Sequence, residues 1–304
     1  MAKELGDVSG IGSTTEEKLN KMGIESVDDL AKADASIVDE HDVSISESRM
    51  QGFIETAAQE AIIIQTGDEV VEQYENRGYT PTGIQELDDK IRGFENRSLI
   101  AVGGSTGAGK TQLGFQACGE AVKKYDEPAV YIETEPDRYR GKRIAQMFDD
   151  DIQSKVHKVG VAGEDALDMQ YRAYKAVQNQ FDTASIVVVD SFTSRFRLAT
   201  QFDGRESLGD RNQEFSRHLQ ALESMAIDLD CPVLLCCQVY PAPTQYGSTD
   251  VIYGSSLMMH MVNYVVKMKG KQGALSNLKV QNHPEYGDFE MPLQILEEGL
   301  VHAD

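Results

Sequence analysis

Basic residues are in short supply. The chain of 304 residues carries 29 Lys and Arg against 50 Asp and Glu, a formal net charge of −21. Such a surface repels polyanions at low ionic strength, so contact with nucleic acid has to rest on local sites. The same balance suits a protein adapted to molar salt, where screening makes dense charge tolerable. Long apolar runs are missing as well. None approaches the ~20 residues that a membrane-crossing helix needs, so no membrane partner is expected. The opening Met1-Ala2-Lys3-Glu4 lacks the apolar stretch of a signal peptide. Cysteine is limited to Cys118, Cys231, Cys236 and Cys237, and no histidine spacing beside them suggests a metal site. They are expected to be reduced and mostly buried, in a cytoplasmic protein. There are no repeats and no low-complexity stretches. What is present is 40 % hydrophobic residues, in a length that suits one large domain and one small one.

The stretch that stands out is Gly104-Ser105-Thr106-Gly107-Ala108-Gly109-Lys110-Thr111, which reads G-x-x-x-x-G-K-T. Leu99-Ile100-Ala101-Val102 precedes it as a short buried strand, and the residues from Gln112 to Cys118 suit a helix. Strand, glycine-rich turn and helix form the context that a phosphate-binding loop needs. The glycines let backbone N–H groups close around phosphate oxygens, and the helix N-terminus adds a favourable dipole. Lys110 can reach the β- and γ-phosphates of a nucleotide, and the Thr111 hydroxyl can ligate Mg²⁺.

Residues 1–60 read as a small all-α domain. Gly10-Ile11-Gly12 leads into a helix that ends at Met22-Gly23-Ile24, where the glycine can serve as a C-cap. Ser26 caps the next helix, and a weaker copy of the pattern stands at Val43-Ser44-Ile45-Ser46. The arrangement resembles a helix-hairpin-helix module, in which a hairpin points backbone amides at a DNA phosphate. A small protein-interaction bundle is the other reading, since Asp28, Asp29, Asp34 and Asp39 make the surroundings acidic. Residues 61–78 form a linker. Its apolar start, Ala61-Ile62-Ile63-Ile64-Gln65, suits a short strand, added either to a neighbouring subunit's sheet edge or to the chain's own core.

The main domain, 79–304, alternates strands and helices, which means a mostly parallel sheet with covered faces. Pro128 to Ile132 is one strand, followed by Glu133-Thr134-Glu135. Ile186-Val187-Val188-Val189-Asp190 is four apolar residues ending in an acid, a Walker B pattern that places Asp190 beside the phosphate loop, where it can hold Mg²⁺. Pro232 to Cys237 is a further strand, ending in Gln238, and the tail from Tyr264 reads as antiparallel edge strands. These acids and Gln238 all sit at carboxyl ends of parallel strands, where doubly wound folds bind ligands. Hydrolysis of a γ-phosphate needs a carboxylate to orient water. Glu135 is the first choice, because its strand is expected to lie close to the phosphate-loop strand. Glu133 is the alternative.

Taken in order, Gly104 to Gln112, Tyr131-Ile132-Glu133-Thr134-Glu135, the run from Tyr139 to Ile144, Val188-Val189-Asp190-Ser191 with Phe196-Arg197, Asp210-Arg211 and Gln238-Val239 resemble the RecA-type recombinase family. The resemblance runs over nearly the whole chain. It implies an α/β fold, a RecA-like P-loop ATPase core with a mostly parallel central sheet, plus a small all-α helix-hairpin-helix N-terminal domain. It also implies a DNA-dependent ATPase that forms filaments on single-stranded DNA and promotes pairing and strand exchange. ATP and Mg²⁺ are the implied cofactors, with K⁺ left open as a second cation.

Residue by residue, Gly104, Ser105, Thr106, Gly107, Ala108, Gly109, Lys110, Thr111 and Gln112 match the nucleotide-binding positions, and Arg140 an arginine that stacks on adenine. Glu135 matches the catalytic glutamate, acting with Lys110 and with Gln238, which senses the γ-phosphate. Thr111 and Asp190 match the metal ligands. Two loops, 197–210 and 240–253, match DNA-contacting loops, with Arg197, Arg205, Arg211 and Tyr240 as DNA-binding residues. Ile64 and Gly67 stand where the family has an interface aromatic and a small residue three positions on. The implied partners are single- and double-stranded DNA and copies of the chain itself, in a helical filament or ring. The chain departs from the family at Val280-Gln281-Asn282-His283-Pro284, which lacks an acid expected there, and the second loop has no Lys or Arg. A recombination mediator that binds ATP without exchanging strands is therefore the alternative function.

Overall fold

The computed structural model describes all residues except 1–4, 9, 42, 61–65, 136–138, 140, 162–165, 200–207, 245–246, 272 and 304. The chain divides into two compact units, Met1–Asn76 and Arg77–Asp304.

The small unit is helical among its described residues. A single 3₁₀ turn, Leu5–Asp7, precedes α1 (Ser13–Lys21), α2 (Val27–Lys32), α3 (Ile37–Glu40), α4 (Glu47–Glu60) and α5 (Gly67–Glu75). Local chemistry sets the ends. After α1, Gly23 adopts φ 77°, its N–H donates to Asn20 and that of Ile24 to Leu19, which satisfies the last carbonyls of the helix. Ser26 and Asp29 form a reciprocal capping box at the start of α2. Leu19, Leu30, Met50 and Ala57 are fully enclosed and anchor the core of this unit. The strand expected in the linker falls on 61–65, outside the described residues. The rest of the expected linker is a helix: Thr66 and Glu69 make a second capping box and start α5, with Gly67 as its first residue. Ile64 is among the residues not described.

The large unit opens with β1 (Tyr79–Thr80), α6 (Gln85–Ile91), β2 (Phe94–Glu95), β3 (Leu99–Gly104) and α7 (Lys110–Tyr125). Then come β4 (Ala129–Glu133), α8 (Gly141–Met147), α9 (Asp150–Ser154), β5 (Val156–Gly160), α10 (Ala166–Gln180), β6 (Ile186–Asp190), α11 (Ser194–Leu198) and α12 (Leu208–Asp228). The last third holds β7 (Val233–Thr244), β8 (Gly247–Ile252), α13 (Ser255–Met261), β9 (Tyr264–Gly270), β10 (Leu275–Gln281), β11 (Phe289–Ile295) and β12 (Leu300–His302). The main sheet runs β12-β11-β10-β9-β3-β7-β6-β4-β5. From β9 to β5 every pairing is parallel, and β10 to β12 are antiparallel.

Side chains alternate along the central strands, so each strand feeds two cores. Ile100, Val102, Tyr131 and Val188 pack with Leu87 of α6 and Phe115 of α7. Leu99, Ala101, Val130 and Val189 pack on the other face with Phe215, Leu219 and Leu222 of α12. Both faces are covered, which explains the uninterrupted apolar runs in the sequence. Each enclosed Val or Leu contributes about 1.5–3 kcal/mol over leaving it in water.

The second core also encloses a histidine. His218, on α12, is packed by the rings of Tyr171, Tyr174 and Phe196 at centroid distances of 5.6, 5.5 and 4.9 Å. Neither ring nitrogen makes a hydrogen bond, although Glu214 Oε1 lies 3.3 Å from Nε2. Burial, reinforced by the Arg217 charge, pulls its pKa from 6.5 down to about 3. The unfolded chain therefore takes up this proton below pH 6.5, while the native chain does not until about pH 3. Stability falls as pH drops through that window, by about 2 kcal/mol between pH 7 and pH 5 from this group alone. In His218→Phe the urea midpoint is expected to lose much of its pH dependence over that range. A variant with the wild-type slope would place the acid sensitivity in other groups.

Candidate nucleotide site and adjoining cleft

β3 delivers the chain into the phosphate loop and α7 leads it out. Gly107 and Gly109 adopt φ 81° and 104°, backbone that only glycine takes without strain, and this turns the loop back onto the helix start. Gly104 lies against the neighbouring strand, where a Cβ would collide with the Met268 carbonyl of β9. The Lys110 ammonium donates to the carbonyls of Gly104 and Ser105, at 2.7 and 3.0 Å. The Thr111 hydroxyl donates to Asp190 Oδ2 at 2.6 Å, and the Tyr131 hydroxyl donates to the same oxygen at 2.6 Å. Burial and then the Asp190 charge hold the Tyr131 hydroxyl protonated, its pKa well above the ordinary tyrosine range. Thr111 and Tyr131 thus share one carboxylate oxygen of Asp190, a residue 79 positions from Thr111 in the chain.

An open cleft of about 390 Å³ spreads from this point, lined by Thr106, Lys110, Thr111, Glu135, Asp190 and Gln238 among others. The donor set fits a Mg²⁺-nucleotide. A hydroxyl, a carboxylate, an ammonium and a glycine loop converge there, and the Ser191 hydroxyl on the same wall is buried without a hydrogen-bond partner.

The two candidate glutamates behave differently. β4 does not lie next to β3, contrary to expectation, because β7 and β6 insert between them. Both are later in the chain, so their insertion depends on long-range pairing that local patterns do not carry. Glu135 still reaches the cleft, because it stands two residues beyond the end of β4. Glu133, the last residue of β4, is 4 % exposed and committed elsewhere. It pairs with the Lys158 ammonium at 2.6 Å and accepts the Tyr139 backbone N–H.

Gln238 joins this cleft to a second one. Its side-chain nitrogen donates to Glu135 Oε1 at 2.9 Å, and its side-chain oxygen accepts from Arg197 Nη1 at 2.6 Å. The second cleft, of about 490 Å³, is lined by Arg197, Arg211, Tyr240 and Tyr253, and Gln238 lines both. Arg211 donates to the Tyr253 hydroxyl at 3.2 Å and lies over its ring, 5.6 Å from the centroid. The stretch 240–253, expected as a loop, is instead largely a β-hairpin. β7 continues to Thr244 and pairs antiparallel with β8, Val239 opposite Ile252 and Tyr240 opposite Val251. The β-branched Ile252 is buried over Gly103 and ties the hairpin to the sheet. Arg195, two residues before Arg197, turns inward and donates to the carbonyls of Thr134 and Val161, at 2.6 and 3.0 Å. Arg140 and Arg205 lie outside the described residues.

Arg143 is the residue that sequence reasoning passed over. From α8 it donates to the Gln112 side chain at 2.6 Å, to the Glu297 carbonyl at 2.6 Å and to the Leu296 carbonyl. It lines the cleft together with Phe115 and Ile295. Gln112 itself spends its amide on Arg143 and on the Met147 sulfur, 2.8 Å away. At Val280-Gln281-Asn282-His283-Pro284, the carboxylate that the turn uses comes from Asp288. It accepts from the Asn282 N–H at 3.1 Å and from the Gln281 side chain at 3.3 Å. The Asn282 hydrogen bond is the main cause that lowers the Asp288 pKa. Among the described residues no group of three His, Cys, Asp or Glu gathers to hold a metal, and no helix is long and apolar enough to cross a membrane. All four cysteines are free and buried, and burial pushes the Cys118, Cys231 and Cys237 thiols up.

Comparison with known proteins agrees with this geometry. The chain is similar to proteins named "DNA repair and recombination protein RadA". The one from Methanococcus maripaludis (strain C7 / ATCC BAA-1331) is 28 % identical over 326 residues, covering 99 % of this chain and 100 % of the relative. The one from Methanococcus voltae is 28 % identical over 332 residues, covering 99 % of each. The Rad51 family model matches residues 79–303, which holds both clefts and the whole sheet. The chain belongs to the Rad51 family.

Proposed function

We propose that the protein is an ATPase of DNA repair and recombination that assembles on single-stranded DNA and promotes homologous pairing and strand exchange. The observation that carries this reading is Gln238, whose one side chain bridges the Glu135 carboxylate of the nucleotide cleft and Arg197 of the arginine- and tyrosine-lined cleft. The recombination role is supported by the relatives' name and by the family.

In this reading the glycine loop and the α7 N-terminus bind the phosphates of ATP, and Lys110 leaves the carbonyls of Gly104 and Ser105 to offset charge on the transferred group. Thr111 and Asp190 hold Mg²⁺, which when bound neutralises charge on the phosphate oxygens. Glu135 orients the attacking water and takes its proton. Arg143, which lines the cleft with Phe115 and Ile295, walls its base end. Arg197, Arg211 and Tyr240 contact DNA, the arginines at phosphates and the tyrosine by stacking. Oligomers form when residues 61–65 add to a free sheet edge of the next copy, such as β5. A second reading, a mediator that binds ATP without exchanging strands, draws on the 240–253 hairpin, which carries Asp250 and no Lys or Arg.

The test is ATP turnover with and without single-stranded DNA, at low and at molar salt, followed by an assay for joint molecules. Stimulation by DNA with joint molecules is the expected result, with the better activity at molar salt. Stimulation without joint molecules selects the mediator, and no stimulation at either salt sinks the recombinase.

A further inference from the structure

We infer that Ser276, on β10, is a positioning residue for nucleotide binding: its hydroxyl holds the peptide between Ala108 and Gly109 so that the Gly109 N–H faces the phosphates. This rests on the ATPase reading above and adds to it a support for the phosphate loop from a strand 168 positions further along the chain.

The loop has a front and a back. Gly107, Gly109, Lys110 and Thr111 line the nucleotide cleft, whereas Ala108, between the two glycines, is fully enclosed and packs into the first core. The back of the loop rests on β9 and β10. A Cβ at Gly270 of β9 would lie 3.6 Å from the Ala108 Cα, and Gly270 stands opposite Ser276 in the ladder. Ser276 is itself buried, and its hydroxyl donates to the Ala108 carbonyl at 2.9 Å, with the Lys269 carbonyl at 3.2 Å as a second acceptor. A hydroxyl has one proton to give, and the nearer oxygen belongs to the loop.

In a trans peptide the C=O and the N–H of one planar unit point to opposite sides. The unit that carries the Ala108 carbonyl also carries the Gly109 N–H. With the carbonyl turned back to Ser276, that N–H is turned forward to the cleft. Among the described residues it has no backbone acceptor, while the Ala108 N–H is spent inside the loop on the Ser105 carbonyl, at 3.2 Å. A free N–H beside the start of α7 is what a phosphate oxygen takes. The unit turns easily, because one of its two hinges is Gly109, which has no Cβ to resist. Without the Ser276 hydroxyl the Ala108 carbonyl is a buried acceptor short of a partner, and swinging the peptide towards the cleft relieves it. The swing takes the N–H off the phosphates and sets a carbonyl dipole in its place.

The test compares full-length wild type, Ser276→Ala and Ser276→Cys. It reads kcat and KM for ATP, the Kd of a fluorescent ADP analogue, and the thermal midpoint without nucleotide. The N–H meets the same phosphates before and during hydrolysis, so its loss acts on binding rather than on the chemical step. Ser276→Ala is expected to raise KM and Kd about tenfold, the worth of one hydrogen bond, with kcat at saturating ATP within about twofold of wild type. Ser276→Cys, close in size but a weaker donor, is expected to fall between the two. If the alanine variant does not fold, the cysteine variant carries the test by its raised KM and Kd. A KM and Kd within about twofold of wild type, with only the thermal midpoint lowered, make Ser276 a packing residue and overturn the positioning role. A fall in kcat without a rise in KM overturns it too, and both results leave the ATPase reading standing. A wild type that neither binds the ADP analogue nor turns over ATP overturns both.

Discussion

Lys110→Ala is expected to lower ATP turnover about 10²–10³-fold, the size of effect seen when one preorganised donor is removed from a developing anion. Nucleotide affinity should fall as well, because the ammonium is the one formal positive charge on the loop itself. The loss of charge is not offset by neighbours. The nearest cation lining the cleft is Arg143, and its guanidinium is spent on Gln112 and on two backbone carbonyls. The fold should tolerate the change, since Lys110 bonds only the loop's own carbonyls, those of Gly104 and Ser105. Binding of a fluorescent ATP analogue, turnover and thermal midpoint together check this. A further readout follows from the bridge at Gln238: in Lys110→Ala, ATP should no longer change DNA affinity. If DNA affinity still responds to ATP, the Gly104–Thr111 loop is not where the nucleotide acts.

Much of this site can be read from sequence because its parts are local. The phosphate loop needs a strand, a glycine turn and a helix within twenty residues, and all are contiguous from Leu99 to Cys118. Asp190 announces itself by four apolar residues before it. What escaped is what distant segments bring. Ile295 reaches the cleft from β11, far along the chain, and nothing around it marks a ligand wall. Arg143 was visible inside the run Tyr139 to Ile144, but which face of a helix points at a cleft depends on packing. The insertion of β7 and β6 between β3 and β4 is of the same kind, a matter of strand order that period-2 patterns leave open. The hairpin at 240–253 was hidden because its strands carry Pro241 and Pro243, which argue against a central strand but fit a two-stranded extension off the main sheet. The start of α5, by contrast, is local: Thr66-x-x-Glu69 is a complete capping box directly after the apolar run.

Glu135, the first choice from sequence, and Glu133, its alternative, stand in different surroundings in the structure. Glu135→Gln keeps the shape and the hydrogen bond to Gln238 but removes the base, and should lower kcat about 10²–10³-fold with KM for ATP little changed, since positioned general bases contribute up to about that much. Glu133→Gln should leave kcat within about threefold and act on stability instead. The amide can still accept the Tyr139 N–H, so what is lost is the pair with Lys158. The carboxylate is buried but the ammonium is 41 % exposed, so water can take over the Lys158 charge and the loss is held to about 1 kcal/mol. A small drop in thermal midpoint with near-normal turnover is therefore expected for Glu133→Gln, and the reverse for Glu135→Gln. If Glu133→Gln abolishes turnover while Glu135→Gln spares it, the catalytic carboxylate is the one at the end of β4. The Gln238 bridge would then lead to an acid with no part in hydrolysis.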